Sequence, residues 1–380
     1  MKHVTVIGAR GYPSAFPGTS GVEVYIEELA NATLEQVDTV HFTILTRSRY
    51  QNSLRQTSHS RLTVIPLWSL PGKILEPLSY AVVASMHACL HGSDIVWYHT
   101  AGMAVFSWLP RLFGKKVWLT VHSADWERKK WSALEKVVFF HTFRMVAKRC
   151  VTKVFAVSRA LASEVSQLLE SEVTTAKPGV PRLTSFIQKK NAQTNEKPYL
   201  LYLGRLVPEK RVEWLLRFAS EEKRRTIIAG SHGNLPEYEQ ELRRKYNSQH
   251  IEWRGSVHGD DKWQLLSRAT LLVLPSELEG FPITVMESLS VRTPCLLYEG
   301  VLPDELQSFS CVTSFKKNTY ASFRKRLLKL SSELPTYTFT QEDAKNIGEY
   351  TWSNTAKTLA FLLRKEEQVT PHHKPHRLKH

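Results

Sequence analysis

Cysteine is scarce in this chain: Cys89, Cys150, Cys295 and Cys311 are the four in 380 residues, and no two stand in Cys-x-x-Cys spacing. That scatter excludes a disulfide framework and a thiolate zinc site, and leaves buried thiols as the expectation. Long apolar runs are missing as well. Residues 80–90 form the longest, broken by Ser85 and His87 and well short of the roughly 20 residues that a bilayer-spanning helix needs. Met1-Lys2-His3 leads at once into Val4-Thr5-Val6-Ile7-Gly8, which reads as a first strand rather than a secretory leader, so a cytoplasmic protein is expected. No helix-turn-helix pattern, zinc finger or aromatic RNP-type strand is present. Nucleic acid is therefore the weakest of the partners invited by a net charge of +15, behind an anionic membrane surface and phosphorylated substrates.

What the chain does have is alternation. Short β-branched runs at residues 4–7, 41–45, 63–66, 94–98, 116–121 and 154–157 are separated by longer helical patterns, and the rhythm returns at 199–203, 226–229, 251–254, 270–274 and 294–297. This predicts an α/β protein of two doubly wound halves, too long for one ordinary core. The polar, unpatterned stretch 181–197 reads as the linker, and 366–380 as a basic tail without apolar periodicity. The first strand ends in a glycine-containing loop, Gly8-Ala9-Arg10-Gly11, but this is not Gly-x-Gly-x-x-Gly, and the second strand ends in Thr46-Arg47 rather than in an acidic residue. A nicotinamide cofactor is disfavoured, and no cofactor is expected.

The most informative stretch is Ser276-Glu277-Leu278-Glu279-Gly280-Phe281-Pro282-Ile283-Thr284-Val285-Met286-Glu287. A buried strand precedes it, Gly280 lets the chain turn, and Pro282 suits a first helical position. Strand ends of open α/β sheets bind ligands, and a helix N-terminus there favours an anion. Glu279 before the helix and Glu287 within it could accept hydrogen bonds from sugar hydroxyls; the alternative is a solvated helix with ordinary surface glutamates.

This stretch resembles the Glu-x7-Glu signature of the retaining glycosyltransferases of family four, which have the GT-B fold of two Rossmann-like domains facing across a cleft. The resemblance implies that Glu287 binds the ribose of a nucleotide-diphosphate sugar, while Glu279, with Gly280, Phe281 and Pro282, holds the sugar. Gly204-Arg205-Leu206-Val207-Pro208-Glu209-Lys210 is similar to the family's Gly-Arg-Leu-x-x-x-Lys element. Arg205 and Lys210 would stabilise the charge that develops on a departing diphosphate, the alternative being two surface cations at a helix start. No Asp-x-Asp occurs in a suitable loop, and Asp260-Asp261 reads as a polar turn, so no metal is expected.

The resemblance extends over all but the tail. It implies an acceptor-side domain at 1–180, completed by a helix at 350–365, and a donor-binding domain at 198–349. His122, at the end of a buried strand, would touch the donor sugar, where the usual following glycine is Ser123; Gly11 joins the donor-binding set, and Gly255 and Val257 would lie near the base. Glu23 belongs on the acceptor side or simply starts a helix, and Asp125 orients an acceptor hydroxyl or caps the next helix. His122-Ser123-Ala124-Asp125-Trp126 is similar to the bacterial surface-polysaccharide subset, which implies a glycan or lipid-linked acceptor, with Trp126 beside it. Other readings on the same scaffold are a sugar-nucleotide epimerase, a sugar-phosphate synthase, or a noncatalytic glycan-binding relative. Finally, residues 127–150 carry a basic, aromatic-rich pattern that starts with Arg128, Lys129 and Lys130, with Trp131, Leu134, Val138 and Met145 near one face and Lys136, Arg144 and Lys148 near another. Either the helix faces the core with its cations solvated, or it lies on the inner face of the plasma membrane.

Overall fold

The structure, a computed structural model, describes residues 1–14, 20–50, 59–72, 75–124, 126, 133–181, 197–233, 235–333 and 339–368. The linker from 182 to 196, Asp125, residues 127–132 and the tail from 369 lie outside these. Seven parallel strands, β1 (Lys2–Ile7), β2 (Val40–Arg47), β3 (Leu62–Leu67), β4 (Ile95–Tyr98), β5 (Lys116–Val121), β6 (Lys153–Ala156) and β7 (Val173–Thr175), form one sheet in the order 3-2-1-4-5-6-7. A second parallel sheet runs 10-9-8-11-12-13, from β8 (Leu200–Leu203), β9 (Thr226–Ala229), β10 (Ile251–Gly255), β11 (Leu271–Leu274), β12 (Cys295–Tyr298) and β13 (Val312–Phe315). Central strands such as Ile95-Val96-Trp97-Tyr98 and Leu271-Leu272-Val273-Leu274 are buried along their whole length, because helices cover both faces of a parallel sheet.

The sequence pattern missed β7 and β13. Both are short edge strands: β7 is half-buried at all three positions and β13 alternates, so neither carries the continuous apolar run of a central strand. The strand order reverses between β1 and β4 and again between β8 and β11. Ligands bind outside the carboxyl ends of strands at such switch points, and these two face each other across the cleft.

The two halves are joined twice. Helix Trp352–Gln368 packs on helix Gly21–Leu34 of the first half, with the Trp352 and Tyr25 rings edge to face at 5.4 Å. At the crossing, the Val180 N–H donates to the Tyr350 carbonyl at 2.9 Å. Gly179 is there because any Cβ would fall 2.1 Å from the Trp352 nitrogen. All four cysteines are free; three are buried as expected, whereas Cys150 is only half-buried. Asp260 and Asp261 are not in a turn. They occupy the first turn of helix Gly259–Arg268, where carboxylates complement the helix dipole.

Candidate functional site

The cleft is built from strand-end loops of both sheets. From the first sheet come Ser14, Ser20, Gly21 and His122; from the second come the loops after β8, β10 and β11, with the start of helix Ile283–Ser290. Pro282 is the N-cap of that helix rather than its first turn. Gly280 also differs in its reason for being glycine. Its backbone does not adopt a left-handed conformation; instead a Cβ would fall 1.8 Å from the His122 carbonyl oxygen, so this loop lies directly on the opposite wall of the cleft. Phe281 is buried, and its ring stacks on Tyr350 at 6.2 Å beside the crossing.

Two lysine–glutamate pairs line the second half. Lys210 donates to Glu279 at 2.6 Å, and Lys262 donates to Glu287 at 2.7 Å, with all four side chains largely buried. Low local dielectric strengthens such pairs, and each carboxylate keeps acceptor capacity for a ligand hydroxyl. Lys210 ends the short 3-10 turn Pro208–Lys210, and its direction is fixed by Arg211, which adopts a left-handed φ of 48°. That unusual conformation is held by the Arg211–Glu277 ion pair and by the guanidinium lying 4.7 Å over the Trp214 ring. Arg205 lines the same wall, and its carbonyl accepts from the Tyr202 hydroxyl at 2.7 Å. Burial, then the nearby Glu279 charge, pushes that phenol well above its ordinary range, so it stays a donor.

On the first half, His122 Nε2 lies 3.1 Å from Nδ1 of His99, which ends β4 as His122 ends β5. His99 is fully buried, and its Nε2 has no partner among the described residues. An orphaned acceptor costs less than an orphaned N–H, which assigns the shared proton to His99 Nδ1 and makes His122 Nε2 the acceptor. Burial, then the neighbouring His122, lowers the His99 pKa well below the usual histidine value. The edge of Tyr25 packs 4.8 Å from His122 on its other side.

Several expected residues sit elsewhere. Glu23 is buried and turned back on its own loop: one oxygen accepts from the Arg10 N–H at 3.0 Å, the other from the Ser20 N–H at 2.7 Å. It shapes the loop after β1 and does not reach the cleft wall. Trp126 packs on Phe143 and donates to Glu164 at 3.1 Å, lining a separate hollow with Phe140 and Arg144. Gly11 and Gly255 do not line the cleft; Gly255, with a φ of 65°, turns the chain so that Ser256, Val257 and His258 do. Asp125 lies outside the described residues. Arg47, where a dinucleotide site would place an acid, is buried against Glu76 at 3.4 Å. Among the described residues no three of His, Cys, Asp and Glu gather as metal ligands would.

Sequence reasoning missed Lys262, His99 and Glu28. Glu28, half-buried on helix Gly21–Leu34, has its pKa raised by burial and then by Glu27, with opposing effects from Lys262 and Glu287, which puts it close to that pair across the cleft. His99 was open to the same argument as His122, since both end buried strands beside a switch point.

Comparison with known proteins follows the two halves. Residues 19–182 match the family described as Glycosyltransferase Family 4, and residues 184–351 match Glycosyl transferases group 1. An uncharacterized glycosyltransferase of Methanocaldococcus jannaschii is 30% identical over 118 residues, 30% of each chain. The alpha-D-kanosaminyltransferase of Streptomyces kanamyceticus is 27% identical over 110 residues, 28% of each. The chain thus matches under a third of the length of these curated relatives. Similarity of fold is far more extensive. Sucrose-phosphate synthase from Thermosynechococcus elongatus superposes with a TM-score of 0.82 at 16% identity, over 97% of this chain and 100% of that one. Anabaena HepE, solved with UDP and glucose, gives 0.73 at 14% identity over 96% and 100%.

Proposed function

The chain belongs to the group 1 and family 4 glycosyl transferases with the GT-B fold, and we propose that it moves a sugar from a nucleotide-diphosphate donor to a glycan or lipid-linked acceptor in bacterial surface polysaccharide assembly. The observation that carries this reading is the pair of lysine–glutamate contacts, Lys210–Glu279 and Lys262–Glu287, flanking the N-terminus of helix Ile283–Ser290 in one cleft. Helix N–H groups and lysines suit a diphosphate, and carboxylates suit ribose and sugar hydroxyls. HepE complexes with UDP and UDP-glucose support a nucleotide-sugar donor on this fold.

In this reading Glu287 accepts from the ribose hydroxyls and Glu279 orients the transferred sugar. Arg205 and Lys210 stabilise the oxygen of the departing diphosphate in place of a metal ion. The anomeric carbon–phosphate oxygen bond breaks as the acceptor oxygen bonds to the same face of that carbon, and the acceptor proton passes to the leaving phosphate, so configuration is retained. No covalent sugar–enzyme intermediate is needed. His122, held by His99, faces the sugar.

Calorimetry against a panel of nucleotide sugars starting with UDP-glucose, followed by nucleotide-diphosphate release with and without glycan acceptors, tests the proposal. Acceptor-dependent release with an α-configured product from an α-linked donor supports it. Binding with no acceptor dependence would point instead to an epimerase, and no binding to any donor would sink the transferase reading.

A further inference from the structure

The exposed face of helix Leu75–Leu90 carries no charge. Its exposed large side chains are Leu75, Leu78, Val82, Met86 and Leu90, spaced so that they fall within an arc of about 120° along roughly 22 Å of helix. The one carboxylate of the helix, Glu76, is buried in its pair with Arg47. A surface helix ordinarily turns polar residues to water. The helix packs against Trp108–Leu112, and that helix against Ala133–Cys150. These neighbours extend the apolar surface with Trp108, Leu112, Phe113, Val138 and Met145, and Leu112 is 76% exposed. Large apolar side chains exposed together on helices that pack side by side mark an interaction site.

The charges at its border choose the partner. Between Glu76 and Asp125 the sequence holds one acid, Asp94, which accepts from the His3 N–H at 2.8 Å. Cations gather at the end of the stripe near Leu90: Lys115 acts electrostatically on Cys89, and Arg111 and Arg149 act on Cys150. A second copy of the chain docking through a two-fold axis would have to bury these cations against the same surface, whose segment 77–124 offers no carboxylate besides Asp94 to meet them. The C-terminal residues 369–380, with one leucine and many basic residues, do not match an apolar stripe bordered by cations. An anionic lipid surface complements both features, apolar side chains entering the acyl boundary and cations meeting the headgroups.

From this we infer that the surface formed by helices Leu75–Leu90 and Trp108–Leu112, with Val138 and Met145 beside them, docks the protein on an anionic membrane. It lies beside the basic run at residues 127–150 from which a membrane contact was expected; Arg128, Lys129 and Lys130 of that run lie outside the described residues, and Arg144 and Lys148 pair with Glu170 at 2.9 and 2.7 Å. The inference is independent of which donor the cleft takes.

Flotation of the full chain with phosphatidylcholine vesicles, with and without phosphatidylglycerol, tests it. Wild type is expected to float with the anionic vesicles at least tenfold more tightly than with neutral ones, and to be released by high salt. The double variant V82E/M86E and the triple variant R111S/K115S/R149S are each expected to lose tenfold or more, with unchanged melting temperature and unchanged sedimentation as a monomer. Equal recovery on both vesicle types, no recovery on either at low salt, or binding unaltered in both variants would overturn the inference. So would a concentration-dependent dimer that V82E/M86E abolishes while vesicle binding stays absent.

Discussion

Gly280→Ala gives the sharpest test of the closed cleft. The added methyl carbon would sit 1.8 Å from the His122 carbonyl oxygen, against an ordinary contact of 3.4 Å, so the loop must retreat by about 1.6 Å, the difference of the two. Because the obstructing atom is backbone on the other half of the molecule, no side-chain rotation relieves the clash, and the cleft itself must open. Displacing a positioned group by about 1 Å costs on the order of a hundredfold in rate. The expected fall in kcat/KM is therefore about a hundredfold or more, roughly 2.7 kcal/mol of transition-state stabilisation. Each sheet keeps its own core, so the melting temperature should move little, and binding of the nucleotide alone, which the proposed function assigns to Glu287 rather than to closure, should change less than threefold. Steady-state kinetics, calorimetry with nucleotide and thermal melts on the same preparation read all three. A variant with wild-type kcat/KM would refute the reasoning. So would one whose nucleotide affinity falls as far as its turnover.

The other perturbations act on single groups. Arg205→Ala and Lys210→Ala are each expected to slow turnover by roughly a hundredfold, the scale for removing one preorganised charge-stabilising group; normal turnover in both would remove them from the leaving group. Glu287→Ala should weaken donor binding by about 1.5–3 kcal/mol, while Lys262→Ala, which leaves the carboxylate in place, should weaken it less; the reverse order in calorimetry would put the lysine rather than the glutamate on the ligand. His99 is held neutral by burial and by His122, so its folded pKa lies well below the unfolded value near 6.5. Its contribution to stability is complete above that value and is lost as pH falls through the window below it, by up to about 1.4 kcal/mol per pH unit. Melts of His99→Gln should show a shallower loss below pH about 6.5, and identical slopes in the two proteins would exclude the effect. Turnover should survive a strong chelator, whereas abolition with rescue by magnesium would show that Arg205 and Lys210 do not replace a metal.

What the sequence revealed and what it hid have physical reasons. Central strands announced themselves because burial on both faces demands an unbroken apolar run, as in Leu271–Leu274. Edge strands β7 and β13 escaped because half-burial leaves no such run. In the cleft, Glu279, Glu287, Arg205 and Lys210 stood out because each sits beside a strand-to-helix turn with a recognisable spacing. Their lysine partner Lys262 did not, since nothing local marks a lysine whose meaning comes from a helix twenty-five residues on. Gly280 was legible as a bend in the chain, but the close approach that requires glycine there was not. Its neighbour is the His122 backbone, which only the meeting of the two halves brings there. Glu23 likewise looked like a cleft residue, and the folded loop shows it satisfying N–H groups of Arg10 and Ser20.

The return of helix Trp352–Gln368 to the first half has a consequence for how the chain is made. Tyr25 packs against Trp352, and the Thr355 hydroxyl bonds the Lys177 carbonyl at 2.6 Å, so the first sheet leaves the ribosome without one of its covering layers. Synthesis proceeds at roughly 5–20 residues per second, and the stretch between Pro181 and Trp352 then takes on the order of 10–30 s. Throughout that interval helix Gly21–Leu34 presents an apolar flank that helix Trp352–Gln368 has yet to cover. Nascent-chain chaperones that recognise exposed apolar helices should therefore be found on this half through that interval, and should leave when residues 352–368 arrive.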